Sequence, residues 1–363
     1  MGKRSFYLSE SELDDCQTMV LRKKVEKPLI VTGCAGSGKS LIALWKAKEI
    51  QNLGHSFLYV VYTKTLRNYM QVAIDEIGLN NACIYHYHEF FRSYNVDDSI
   101  TYDYVIIDEA QDFSKEQLEQ MISKAKIAVH MYGDSDQQLY SFRRDNPPLS
   151  MEEIKYFTKY KDIELIFNHR LPKKIARFAQ CLLSNPDDED LEARCRREGN
   201  NKPKVYYYQS FEEQLKAISN IIKNNDLSDV GILFSKNDEV LNAYNFFKNE
   251  LNIEVECKTN TNTENIDNLD FKTTLPKLMT YHSSKGLQFE DVFLPECSEF
   301  RVDNKNALYV AATRTYNNLY IMHSGNLSPF IKNINSSLYE NIHTSNSLQS
   351  SRFSELDDND IPF

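Results

Sequence analysis

The chain has 363 residues, more than one hydrophobic core usually serves, because cores stop growing near ~250–300 residues, so two domains are expected. Its 41% hydrophobic and 26% charged residues are a globular composition. The formal net charge of -10 excludes a broadly basic shell, so any nucleic-acid site must be a local groove.

The seven cysteines (Cys16, Cys34, Cys83, Cys181, Cys195, Cys257 and Cys297) show neither C-x-x-C pairs nor zinc-finger spacing, which predicts reduced structural thiols. No apolar run approaches the ~20 residues of a membrane helix, and the N-terminus lacks a signal-peptide core. An unanchored cytoplasmic chain is the expectation.

In chain order, the runs PLIVTG (28–33), FLYVVY (57–62), ACIYHY (82–87), YVIIDEA (104–110) and IAVHMYGD (127–134) alternate with helical patterns, which predicts an α/β fold with a parallel sheet covered by helices. A turn-rich joint at 144–150 separates them from a second series, IELIFN, KVYYYQ, VGILFS, LMTYHS, VFLPE and LYIMHS. The boundaries expected are 1–148 and 149–335, with a disordered Ser/Asn-rich and acidic tail over 336–363. The stretches 184–203 and 257–274 read as surface excursions.

Between strand PLIVTG and a helical run lies G-C-A-G-S-G-K-S, from Gly33 through Gly36, Ser37 and Gly38 to Lys39 and Ser40. Such a loop cradles phosphates with backbone N–H groups, while the lysine reaches the β/γ-phosphates and the serine ligates Mg2+. The strand VIIDEAQD delivers Asp108 and Glu109 at its C-terminal end, where ligands of open α/β sheets bind. Asp108 is then a magnesium partner, directly or through a water, and Glu109 can polarise an attacking water. ATP and Mg2+ are the cofactors expected.

The segment GDSDQQLYSFR (133–143) resembles the third motif of UvrD/Rep-like superfamily 1 helicases. That resemblance implies two tandem RecA-like P-loop domains, with Gln137 sensing the γ-phosphate, Tyr140 and Phe142 stacking on single-strand bases, and Arg143 supporting them. LIFNHRLP (165–172) and LYVAATRTYNNLYI (308–321) are similar to two further motifs of the family, which makes Arg170 and Arg314 arginine fingers. TYHSSKGLQF (280–289) is similar to another, which places Gly286 and Gln288 at the nucleotide and His282 at the strand. Gln17 fits the family's adenine-reading glutamine, His169 stands where a tyrosine usually covers adenine, and Thr63 is the candidate phosphate contact of YTKTLRNYM.

The large accessory insertions of that family have no counterpart in this length. The resemblance implies a DNA-dependent ATPase that translocates 3′ to 5′ on single-stranded DNA in repair, replication or phage-related DNA processing. The alternative is a nucleotide-gated subunit controlling a partner nuclease. The ending LDDNDIPF resembles the tip of bacterial single-stranded-DNA-binding proteins, with Asp357, Asp358, Asp360, Ile361, Pro362 and Phe363 offered to proteins that capture that tip.

Overall fold

The computed structural model describes residues 12–94, 99–138, 146–183, 186, 190–199 and 201–342. The first half begins with α1 (Asp15–Leu21), whose N-cap Asp14 forms a reciprocal capping box with Gln17. Then follow β1 (Leu29–Gly33), α2 (Lys39–Asn52), β2 (Phe57–Val61), α3 (Lys64–Ile77), β3 (Ile84–His86), α4 (Tyr87–Tyr94), β4 (Tyr102–Ile107), α5 (Lys115–Ile122), β5 (Ala125–Gly133), α6 (Met151–Thr158) and β6 (Lys161–Leu165). The six strands form one all-parallel sheet in the order β3-β2-β4-β5-β1-β6. Its central strands are buried on both faces, as a sheet covered by helices requires.

The second half runs through α7 (Lys173–Gln180), α8 (Leu191–Arg194), β7 (Lys204–Tyr208), α9 (Phe211–Asn224), β8 (Val230–Phe234), α10 (Asn237–Asn249), β9 (Glu256–Asn260), β10 (Asn265–Asp267), β11 (Lys277–Thr280), β12 (Phe289–Leu294), α11 (Lys305–Ala312), β13 (Thr315–Ser324), α12 (Pro329–Lys332) and β14 (Glu340–Ile342). Its sheet has the order β10-β9-β11-β8-β12-β13-β7-β14, parallel except for the β9–β10 hairpin.

Three sequence expectations are corrected here. β6, read as the first strand of the second half, pairs with β1 from Leu29↔Lys161 to Gly33↔Leu165, so the first sheet extends past the joint expected at 148. The polar stretch 257–274 is not a loose excursion: it supplies most of β9 and all of β10, and Cys257, Thr259 and Phe271 are buried. Residues 336–342 are not tail either, since β14 pairs with β7. The tip residues Asp357 to Phe363 lie outside the described residues. One buried apolar cluster, from Val20 to Tyr339, draws side chains from both halves, so the two sheets share a continuous seam. Among the described residues no helix is long and apolar enough to cross a membrane.

Within the second sheet, Asp291 of β12 is 1% exposed and accepts a hydrogen bond from Asn318 Nδ2 at 2.7 Å. Burial, with Glu290 and Asp229 nearby, outweighs that bond and pushes its carboxyl up to about 6. A raised carboxyl favours the protonated form in the fold, so its contribution to stability is full below the ordinary value of 3.8 and is lost as pH rises through about 6. Asp291→Asn should therefore leave the Tm near that of the unsubstituted chain at acidic pH and raise it by a few degrees at pH 8. Equal melting curves at the higher pH would show that the buried charge costs nothing.

Candidate active site

The turn from β1 into α2 builds a cradle. Gly38, the N-cap of α2, has φ +89°, and a Cβ there would lie 2.5 Å from Gln17 Nε2. Gly36 has φ +82°, and a Cβ would lie 2.5 Å from Asn168 Oδ1. Both conformation and space therefore exclude a side chain, while no side chain caps α2, whose first N–H groups face the loop. Lys39 Nζ donates to the carbonyls of Gly33 (2.7 Å) and Cys34 (3.0 Å) and stands 3.8 Å from Asp134 Oδ2. The buried Ser37 Oγ has no hydrogen-bond partner among the described residues. A helix N-terminus, a lysine and an unpaired hydroxyl around a glycine loop suit an anion with several oxygens.

At the end of β4 the fully buried Asp108 accepts from Tyr59 Oη (3.2 Å) and from Glu109 N (3.0 Å). Burial and the neighbouring Glu109 push its carboxyl up to about 6, and a hydrogen bond from Ser40 offsets part of that rise. Glu109 occupies a left-handed backbone at φ +55°, a conformation that non-glycine residues rarely adopt. Burial works against its charge, but Lys285 and Lys39, with a 2.6 Å bond from Gln111 Nε2, outweigh it and hold the carboxyl below its usual range. Lys285 comes from the turn after β11 of the second sheet. Its Nζ contacts both oxygens of Asp112, at 2.6 and 2.7 Å, and lies 3.7 Å from Glu109.

The opposite wall belongs to the second half of the chain. Arg314 is buried and donates from Nη2 to Gln137 Oε1 at 2.7 Å, and Gln137 Nε2 in turn donates to Asp134 at 2.5 Å. Burial, followed by the nearby Arg170, lowers the Arg314 guanidinium to about 9. Arg170 Nε finds no hydrogen-bond partner among the described residues. Asn168 fastens this wall to the loop: Nδ2 donates to Ala35 O at 2.5 Å, while Oδ1 accepts from the N–H groups of Arg170 and Leu171, each at 2.9 Å. His169 Nε2 and Asp14 Oδ2 are 2.5 Å apart, which ties the same wall to α1.

Gln17, Gly36, Gly38, Lys39, Ser40, Glu109, Gln137, Arg170, Gly286, Gln288 and Arg314 thus line a single cleft, with His169 among them. Gly33, Ser37 and Asp108 do not line it, and Gly33 opens on a neighbouring depression with Cys34 and Asp134. Thr63 is elsewhere: its hydroxyl caps α3 by accepting from Leu66 N at 3.0 Å. His282 opens on a separate depression with Ser235, Lys236 and Asn260. Tyr140, Phe142 and Arg143 lie outside the described residues.

Sequence reasoning missed Asn168, Lys285 and Asp112, although each stands inside a segment already singled out. It also missed Tyr69, Asp229 and Tyr316 of the cleft wall, which no spacing rule marks. Among the described residues no group of three His, Cys, Asp or Glu side chains gathers for a metal, so a cation here would depend on Ser40, Asp108 and ligand oxygens.

Comparison with known proteins gives two family matches, an AAA domain over residues 17–143 and a UvrD-like helicase C-terminal domain over residues 277–322. An Acanthamoeba polyphaga mimivirus protein named "Putative ATP-dependent DNA helicase" is 27% identical over 250 residues, covering 60% of this chain and 34% of its own length. The chain therefore spans about a third of that relative. Among solved structures, the PRRSV helicase is 13% identical with a TM-score of 0.45, over 84% of this chain and 54% of its own. Arterivirus nonstructural protein 10 (helicase) is 14% identical with a TM-score of 0.42, over 85% and 61%. Residues matched by both families line the cleft, Lys39, Glu109 and Gln137 from the first and Gly286, Gln288 and Arg314 from the second.

The Lys285–Asp112 pair bridges the sheets with both side chains almost fully buried. Lys285→Met alone strands the Asp112 charge, and urea unfolding should show a loss of about 3–5 kcal/mol. Lys285→Met with Asp112→Leu should recover most of it. Two single substitutions whose costs simply add would mean that the pair is not coupled.

Proposed function

We propose that this chain is a DNA-dependent ATPase of the UvrD-like helicase class that translocates on single-stranded DNA, with the 3′ to 5′ direction that the resemblance implies. The observation that carries the reading is the convergence of Lys39 and Glu109 from the first sheet with Arg170 and Arg314 from the second half on one cleft. The glycine loop and Lys39 would hold a triphosphate. Ser40 and Asp108 would hold Mg2+, which supplies charge neutralisation on the phosphates when bound.

Glu109 is kept ionised by two lysines, so it can accept a hydrogen bond from water and orient that water for attack. Arg170 and Arg314 place positive charge where negative charge grows, and Gln137, bonded to Arg314 and Asp134, couples that charge to the first sheet. Hydrolysis splits the triphosphate that both halves would grip into diphosphate and phosphate, so binding favours a closed cleft and product release an open one.

ATP hydrolysis measured with and without single-stranded DNA tests the reading. Single strand should stimulate turnover, and Arg170→Ala or Arg314→Ala should each reduce it by ~10³-fold or more while the fold survives. Failure of any single strand to stimulate the purified chain would overturn the proposal. A second reading, a nucleotide-gated subunit that controls a nuclease, is favoured by the 257–274 stretch. At the point where UvrD-like helicases carry a large insertion, the chain has a short hairpin and a loop. Directional movement by the chain alone would reject it.

The acidic ending belongs to the same proposal as a recruitment tip. Deletion of residues 356–363 should abolish capture of proteins that bind the tip of single-stranded-DNA-binding protein. Faster DNA-stimulated hydrolysis after the deletion would instead identify an autoinhibitory tail, and no change in either assay an inert one.

A further inference from the structure

Helix α3 faces the second half of the chain with residues three apart. Leu66 packs so closely on Gly286 that a Cβ there would lie 2.8 Å from Leu66 Cδ1. Tyr69, one turn later on the same face, stands in the wall of the nucleotide cleft with Arg170 and Gln288. Its ring meets Phe271 edge-on, with centroids 5.2 Å apart at 84°, and both residues are buried.

Phe271 belongs to the segment between β10 and β11, which is held rigid from within. Glu256 accepts from Asp270 N and from Thr273 Oγ1, both at 2.6 Å. Lys277 Nζ bridges Glu256 Oε2 (2.9 Å), Thr273 Oγ1 (2.7 Å) and the Leu275 carbonyl (2.7 Å). A buried ion pair of this kind costs desolvation, and a fixed loop geometry is what it delivers here. Outside it, Lys64 pairs with Asp267 at 2.9 Å and Lys272 with Asp75 at 3.5 Å, so contacts from one short segment flank Tyr69 on both sides along α3. Burial raises the Tyr69 phenol, with Arg170 and a side-chain hydrogen bond with Gln288 opposing, so the hydroxyl stays protonated and keeps a proton to donate beside that bond.

We propose that Tyr69 contacts the bound nucleotide, donating its hydroxyl to a phosphate or sugar oxygen, and that Phe271 is the positioning residue that sets it there. The inference rests on the nucleotide reading above and adds to it: the segment 268–275 completes the site through α3. Because Thr63 caps the start of the same helix, α3 becomes a rigid link between the cleft and the end of the helix at which a strand contact is expected.

The test is equilibrium binding of a fluorescent ATP analogue to the full chain, with melting curves in parallel and inorganic tripolyphosphate as a competing probe. Phe271→Ala should weaken binding ~10-fold, Phe271→Leu should restore most of it, and Tyr69→Phe should weaken it ~3–10-fold. The double variant Tyr69→Phe/Phe271→Ala should be no weaker than Phe271→Ala, because one residue acts through the other. A loss that extends to tripolyphosphate assigns the contact to phosphate, and one confined to the nucleotide assigns it to the sugar.

Unchanged affinity in Phe271→Ala overturns the inference while the nucleotide reading stands. So does a loss that follows the fall in Tm and is not restored by leucine. If the unsubstituted chain binds no nucleotide, the nucleotide reading falls first and takes this inference with it.

Discussion

Lys285 reaches across the seam between the two sheets and lies between Glu109 and Asp112 with almost no exposure. A buried ammonium without carboxylate partners, or a buried carboxylate without a cation, carries a desolvation cost that nothing offsets. The pairing therefore fixes two things together. It docks the loop after β11 on the end of β4, and it keeps Glu109 ionised beside Asp108, whose own carboxyl is pushed up. Without it, two adjacent buried acids would compete for one proton.

The same logic extends across the cleft. Lys39, Glu109, Arg170 and Arg314 line the cleft, and Lys285, Asp108, Asp112 and Asp134 are buried around it, four cations to four acids. Lys39 rests on carbonyls of its own loop and Arg314 on Gln137, which leaves the cations positioned by hydrogen bonds rather than by a ligand. An incoming polyanion would meet groups already oriented, and in a low-dielectric cleft such preorganised charge acts strongly. Asn168 and His169 add the mechanical side, since their bonds to Ala35 and Asp14 carry any shift of the second wall into the glycine loop and α1.

Much of this was legible in the sequence. Alternating apolar runs and helical patterns gave the two largely parallel sheets, and Gly36, Gly38, Lys39 and Ser40 of the glycine loop, Glu109 of VIIDEAQD and the two arginines all face one cleft. What could not be read was pairing. IELIF has the same apolar pattern whether it joins β1 or opens a second sheet, and only the register from Leu29↔Lys161 onwards decides. CKTNTNTEN looks polar because alternate residues of an edge hairpin face water, while Cys257 and Thr259 face inward. Thr63 carried a ligand expectation from its motif, yet its hydroxyl is used as a helix cap.

The sequence by itself determined the local chemistry: where a glycine loop leads into a helix, which strand ends in carboxylates, and where Arg170 and Arg314 stand along the chain. Those features depend on residues near one another along the chain, so their order is enough. Tertiary structure alone decided that Lys285 neutralises Asp112 from 173 residues away, that Asn168 leans on Gly36, and that Phe271 stands behind Tyr69. Such contacts join segments distant along the chain, and their energies depend on burial and on distances that a linear pattern does not contain.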